Sequence, residues 1–140
     1  MASWSGQTQF SLNSVIDADG MGGAVHVANK SQASWDGETS FVNNTAQYGG
    51  ALSVEWDSIA SWHERTSFIK NTAQYGGALY PHDGSIISWK EETSFTSNHA
   101  MSSGGAIYHT TSSTITVGGD TYFLDNTAGI DGGAAYICTR

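Results

Sequence analysis

The chain has 140 residues and a net charge of −8, because 5 Lys and Arg stand against 13 Asp and Glu. This length corresponds to one domain or to one part of a repeat array. Nucleic-acid affinity depends on cations that contact phosphates, so the acidic balance excludes a nucleic-acid partner and disfavours anionic membrane surfaces. No apolar run approaches the roughly 20 residues of a membrane helix, so no direct membrane insertion is expected.

The remaining composition excludes further classes of protein. The single cysteine, Cys138, rules out an internal disulfide framework and a cysteine-rich zinc site. The first five residues have neither a basic segment nor an apolar stretch, so no signal peptide is expected in this segment. Glycine accounts for 17 of the 140 residues, or about 12%, well above its usual share of about 7%. None of these features indicates a particular activity.

One pattern recurs five times along the chain. Thr stands two residues before a Phe, Asn follows that Phe by three residues, and a Gly-Gly-Ala triplet comes next. Trp stands six residues before Phe in four units, and Val117 takes this place in the fifth. The Phe column is Phe10, Phe41, Phe68, Phe95 and Phe123, and the Asn column is Asn13, Asn44, Asn71, Asn98 and Asn126. Agreement at this many positions identifies an internal repeat.

The repeat divides the chain into five units, approximately 1–31, 32–58, 59–85, 86–113 and 114–140. In chain order, each unit has a short run ending at Trp, a run through Thr-x-Phe and a run after Gly-Gly. Their period-two alternation, with turns between them, predicts three strands per unit. We therefore predict one all-β domain, a right-handed, single-stranded parallel β-helix of about five coils of 27–31 residues, a β-solenoid.

Each column then has a structural reason. Identical residues one coil apart lie above one another, so the Phe column can stack in the interior and the Asn column can form an amide ladder. Asn also tolerates the left-handed backbone that such a turn requires. The Gly pair allows a tight corner between strands.

The FxxN and GGA[ILV] motifs resemble those of the chlamydial polymorphic outer membrane proteins. Three units carry both motifs in full: Phe41 to Asn44 with Gly49 to Leu52, Phe68 to Asn71 with Gly76 to Leu79, and Phe95 to Asn98 with Gly104 to Ile107. The resemblance implies a β-helix of the pectate-lyase-like superfamily, an extracellular or cell-surface location and a role in adhesion. Similar repeats also occur in surface or secreted proteins of algae and other protists.

A candidate binding column follows the Gly-Gly-Ala triplets. If the residue directly after each Ala faces the core, alternation sends the Ala and the next residue outward. Small Ala beside amphipathic Tyr rings would form a flat strip that suits sugar rings or a partner protein, although cross-strand stacking alone also accounts for it. The column contains His26, Ser53, Tyr80, Tyr108 and Tyr136.

The acidic residues do not form a recognisable catalytic or metal-binding motif. A strip of carboxylates falls in the Trp-to-Thr turns: Asp36, Glu38, Glu64, Glu91 and Glu92. Hard cations require several oxygens that converge on one point, and Arg65 and Lys90 in the same strip would compete with a cation. Glycoside hydrolases require paired carboxylates, which this scattered set does not suggest. We assign no catalytic residue, metal or cofactor, and we expect that the protein is not an enzyme.

The first functional hypothesis is a non-catalytic structural or adhesive module that binds a glycan or a protein through the candidate column. Two alternatives stay open: a scaffold subunit docked on a larger complex, and a fragment of a polysaccharide lyase- or hydrolase-like enzyme. Open solenoid ends expose unpaired strand edges, and neither end of the sequence resembles a cap. We therefore expect further repeats or another chain to cover the ends.

Overall fold

The computed structural model describes residues 1–110 and 112–138. Within these ranges the regular structure consists of short strands, numbered β1 to β18 in chain order, and contains no helix. Each strand of the five-stranded sheets pairs in parallel with the equivalent strands of the adjacent coils. The chain is a parallel β-solenoid of about five turns, which confirms the predicted fold class.

Three five-stranded sheets run along the solenoid, and each takes one strand from every repeat unit. The Trp sheet contains β1 (Ala2–Trp4), β4 (Gln32–Trp35), β7 (Ile59–Trp62), β11 (Ile86–Trp89) and β15 (Thr114–Val117). The Phe sheet contains β2 (Thr8–Ser11), β5 (Thr39–Val42), β8 (Thr66–Ile69), β12 (Thr93–Thr96) and β16 (Thr121–Leu124). The Gly-Gly-Ala sheet contains β3 (Val25–Val27), β6 (Leu52–Val54), β10 (Leu79–Pro81), β14 (Ile107–His109) and β18 (Ala135–Ile137).

A fourth, shorter sheet adds to the three strands per coil that the sequence predicts. It contains β9 (Thr72–Tyr75), β13 (His99–Ser103) and β17 (Thr127–Ala128). Isolated bridges from Thr45 to Thr72 and from Tyr48 to Tyr75 extend the same pairing into the second coil. These segments lie between the ladder Asn and the Gly pair, where the sequence shows little apolar alternation and therefore resembles a turn.

Stacked aromatic rings fill the interior. Phe41, Phe68 and Phe95 are fully buried, and the ring centroid of Phe68 lies 4.9 Å from that of Phe41 and 4.8 Å from that of Phe95. Trp35 and Trp62 stack in the same way at 4.9 Å, and Trp62 packs edge-on against Phe68. The ring spacing matches the distance of about 4.8 Å between neighbouring strands, so the backbone register itself sets the stack.

A ladder of buried asparagines runs beside the Phe sheet. The Asn71 Nδ2 donates to Asn98 Oδ1 at 3.0 Å and to the Phe41 carbonyl at 3.0 Å. The Asn71 Oδ1 in turn accepts from the Asn44 backbone N–H and from Asn44 Nδ2, both at 3.0 Å. Both amide hydrogens and the carbonyl oxygen of Asn71 are therefore satisfied, as a buried polar side chain requires.

The left-handed backbone conformation falls one residue earlier than the sequence suggests. It belongs to the residue before each ladder Asn, with positive φ at Leu12, Asn43, Lys70, Ser97 and Asp125. The two glycines of each triplet differ in their roles. Gly76 has φ +63°, whereas a Cβ on Gly77 would overlap the Gly105 carbonyl oxygen of the next coil. The first glycine thus serves the turn, and the second allows neighbouring coils to approach closely.

Candidate functional site

The candidate column occupies one face of the Gly-Gly-Ala sheet. Leu52 and Leu79 are fully buried in the core, so the residue after each of them lies on the opposite side of its strand. Pairing joins His26 to Ser53, Ser53 to Tyr80 and Tyr108 to Tyr136, and the Tyr80 and Tyr108 rings stack at 5.5 Å. The structure therefore brings all five residues into one row. Their role in binding stays a prediction.

The prediction that this row is a flat, exposed strip is wrong for its middle residues. Ser53 is fully buried and Tyr80 is only 8% exposed, whereas His26 is exposed and Tyr108 and Tyr136 are half-buried. The alanines of the triplets do not form an exposed strip either, because Ala51, Ala78 and Ala106 are fully buried within the core cluster. Alternation within a strand predicts which side of the sheet a residue occupies. It does not predict whether side chains from a neighbouring segment cover that residue.

Two tyrosines that the candidate column does not include lie over the row. The Tyr48 ring centroid is 5.0 Å from that of Tyr80, and the Tyr75 centroid is 5.3 Å from that of Tyr108. Tyr48 and Tyr75 also stack on each other at 5.6 Å. Each stands directly before a Gly pair in a repeated Ala-Gln-Tyr-Gly-Gly segment, a signal that was present in the sequence. We call the combined surface the tyrosine face: Tyr48, Tyr75, Tyr80, Tyr108 and Tyr136.

The tyrosine rings cover one another more than they face solvent. Tyr108 stacks on Tyr80 at an interplanar angle of 21° and on Tyr136 at 25°, with centroids 5.5 and 5.0 Å apart. Tyr75 meets Tyr108 edge-on at 72°. The arrangement leaves Tyr108 and Tyr136 half-buried, so part of each side chain reaches the surface.

Burial keeps the centre of the tyrosine face neutral. Desolvation raises the pKa of Tyr80 well above its usual value, and the nearby Tyr108 and Tyr48 phenols and the Asp83 and Glu55 carboxylates act in the same direction. The pKa of Tyr136 is also raised, chiefly by the charge that the Cys138 thiol acquires. A neutral phenol is a hydrogen-bond donor, so both side chains keep this capacity up to alkaline pH.

Two histidine–carboxylate pairs border the tyrosine face. The His26 Nε2 lies 2.8 Å from Glu55 Oε1, and Glu55 is only 3% exposed. The His82 ring stacks on Tyr80 at 5.5 Å, and its Nδ1 lies 2.9 Å from Asp83 Oδ2. Both carboxylates therefore have an imidazole partner beside the aromatic cluster.

Trp56 is an exposed aromatic residue on the turn that follows β6. Its side chain is 49% exposed and its φ is 53°, and Asp57 has φ 56°. The equivalent turn one coil earlier uses Asn29, and the one after it uses Asp83 with Gly84, which accept this conformation far more readily. A bulky residue in the left-handed region is a local strain of about 1–2 kcal/mol, and such strain concentrates at functional sites.

Basic side chains contact several carboxylates of the acidic strip. The Arg65 guanidinium lies 3.7 Å from Glu38 and 3.6 Å from Glu92, on either side of it along the solenoid. His63 binds the Asp36 carboxylate. Across residues 1–110 and 112–138, no group of three His, Cys, Asp or Glu side chains is placed to hold a metal ion.

Comparison with protein families gives one match. Residues 92–110 match the model of the Chlamydia polymorphic membrane protein repeat, and this range contains the Phe95 to Asn98 and Gly104 to Ile107 motifs. The resemblance stated from the sequence is therefore confirmed for this unit, and it suggests a surface-associated β-helix module. Searches of curated proteins and of solved structures find no significant match. The part of the chain that the structure describes has no helix long and apolar enough to cross a membrane.

Proposed function

We propose that the chain is a non-catalytic adhesive module of a surface protein, and that its tyrosine face binds a partner protein. The observation that carries this proposal is the five-tyrosine cluster, which extends over four consecutive coils on one side of a rigid solenoid. Tyr and Trp are enriched among the residues that dominate the energy of protein interfaces. Trp56, on the turn beside this sheet, adds a second kind of aromatic anchor.

The ring geometry favours a protein over a glycan at this face. A sugar ring requires an open aromatic face on which to stack. Here the faces of Tyr80 and Tyr108 lie against neighbouring rings. The half-buried side chains of Tyr108 and Tyr136 are amphipathic, which suits the mixed apolar and hydrogen-bonding contacts of a protein interface.

The proposed absence of catalysis is supported by the engaged state of the carboxylates. Glu38 and Glu92 lie beside Arg65, Asp36 binds His63, and Glu55 binds His26. A glycoside hydrolase instead places two carboxyl groups on either side of one scissile bond. A surface location is supported by the repeat-family match at residues 92–110.

A cell-binding experiment tests the proposal. The protein is labelled at its N-terminal amine and added to cultured animal cells that are untreated, protease-treated or glycosidase-treated. We expect saturable binding that protease treatment removes and glycosidase treatment preserves. Tyr108→Ala and Tyr136→Ala should each weaken binding about tenfold, since truncation of an interface anchor costs over 1 kcal/mol.

Ile86→Ala is the control, because Ile86 is an exposed apolar residue on the Trp sheet, outside both the tyrosine face and the Phe sheet. It should bind cells as the unaltered protein does. Equal binding by the Tyr108→Ala and Tyr136→Ala variants would contradict the proposal, and so would undiminished binding to protease-treated cells.

A further inference from the structure

A polar groove of about 480 Å³ lies on the outer face of the Phe sheet, away from the tyrosine face. Its floor is a single column of residues that pairing places one above another: Gln9, Ser40, Ser67 and Ser94. The three serines are half-buried, and within residues 1–110 and 112–138 their hydroxyls form no hydrogen bond. The groove therefore offers a row of free hydrogen-bonding groups, which we call the serine groove.

Strand pairing fixes the spacing of this row. Each serine directly precedes a buried Phe, and the Phe rings are 4.9 and 4.8 Å apart along the solenoid. The hydroxyls thus repeat at the strand spacing of about 4.8 Å. An extended peptide presents like-facing groups at roughly 6.6 Å, twice its rise per residue, so it does not match the row. Successive units of an extended β-linked glycan alternate in orientation, but each carries hydroxyls along the chain edge in either orientation. One unit advances by close to one strand spacing, so a hydroxyl of every unit can meet the row.

The charges at the serine groove favour a neutral ligand. Arg65 is the one basic side chain that lines it in the part of the chain described, and this guanidinium already lies between Glu38 and Glu92. The whole chain carries a net charge of −8. A polyuronate or another polyanion would be repelled, whereas a neutral glycan would meet only hydrogen-bonding groups.

An exposed aromatic ring continues the same column. Tyr122 pairs with Ser94 in register and is 53% exposed, and its ring stacks on no other ring within the described ranges. Its ring is therefore not covered by neighbouring rings as those of Tyr80 and Tyr108 are. A sugar ring packed on Tyr122 would be held in line with the three serine hydroxyls.

We propose that the serine groove binds a neutral, linear β-linked glycan that lies parallel to the solenoid axis. Ser40, Ser67 and Ser94 hydrogen-bond successive sugar units, and Tyr122 stacks on a further unit. This site is independent of the protein partner proposed for the tyrosine face, and either proposal can fail without the other.

Titration with defined oligosaccharides tests this site. Cellohexaose and chitohexaose are the neutral β-linked probes, and hexagalacturonate is the anionic control. Binding is followed by isothermal calorimetry and by backbone amide chemical shifts of the full chain. We expect at least one neutral probe to bind, with shifts centred on Ser40, Ser67, Ser94 and Tyr122, and hexagalacturonate to bind at least tenfold more weakly.

The variants separate this site from the other face. Ser67→Ala should weaken binding about two- to tenfold, the loss expected for one hydrogen bond. Tyr122→Ala should weaken it about tenfold, while Tyr108→Ala should leave it unchanged. The amide spectrum of each variant shows whether the solenoid is intact. The proposal is overturned if neither neutral probe binds, if hexagalacturonate binds equally well, or if folded Ser67→Ala and Tyr122→Ala bind as the unaltered protein does.

Discussion

The tyrosine face and the serine groove are built on the same backbone and differ in what their side chains do with it. Both are outer faces of five-stranded parallel sheets. On the first, rings stack at 5.0 to 5.6 Å and cover each other, so that Tyr80 is 8% exposed. On the second, hydroxyls at a similar spacing are too short to meet, and they stay available. At one fixed coil spacing, large side chains pack against each other and small polar side chains stay separate and accessible.

The first prediction, with the largest effect, concerns the interior on which the serine groove depends. Phe68→Ala removes a fully buried ring that stacks on Phe41 and Phe95. We expect the free energy of unfolding to fall by about 3–5 kcal/mol, measured by urea denaturation. Phe123→Ala is the matched control, because Phe123 is 41% exposed and stacks on Phe95 alone among the described Phe rings, and it should cost less than half as much. Equal losses would show that burial between two neighbouring rings does not determine how much a Phe of this column contributes to stability.

The second prediction uses the buried position of Tyr80. Its folded-state pKa is raised, so its contribution to stability is fully present below the unfolded pKa of about 10 and is lost as the pH rises toward the folded value. The free energy of unfolding should therefore decrease progressively above about pH 9, as measured by denaturation across an alkaline series.

Tyr80→Phe keeps the ring and removes the ionisable phenol. This variant should show a shallower alkaline decrease, although the raised pKa of Tyr136 leaves part of it in place. An unchanged slope in Tyr80→Phe would mean that Tyr80 is not the buried phenol that distinguishes the tyrosine face from the serine groove.

The smallest expected effect is a gain in stability at the edge of the tyrosine face. Trp56→Asn places at φ 53° the residue type that the preceding coil already uses in this turn. It should raise the free energy of unfolding by about 1 kcal/mol, because Asn tolerates the left-handed region. Trp56→Ala removes the ring and keeps the strain, so it should show no gain in the same denaturation measurement. If both variants were equally stable, the backbone at Trp56 would not be strained.

The sequence predicts the solenoid well because its columns repeat. Phe41, Phe68 and Phe95 occupy equivalent positions, and equivalent positions must lie above one another once the strands pair in parallel. The fourth sheet is less visible, since Thr72–Tyr75 lacks apolar alternation and its strands are defined by pairing between coils.

The candidate site is only partly predictable for a related reason. The column from His26 to Tyr136 follows from alternation within each strand. Its burial instead depends on Tyr48 and Tyr75, which reach it from the segment before each Gly pair. The sequence does not predict the serine groove, because Ser40, Ser67 and Ser94 resemble ordinary solvent-facing strand residues. The pairing register shows that they form one row, and the groove above them shows that the row is accessible.

The asparagine ladder has a mechanical consequence. The amide of Asn71 links to Asn44 on one side and to Asn98 on the other, parallel to the backbone bonds between the same coils. A pull along the solenoid axis would load the side-chain and backbone hydrogen bonds between two coils at the same time. Each coil contacts only its neighbours, so the load passes from coil to coil. Coils joined in this way would separate one after another under load, and each separation would absorb part of the mechanical work.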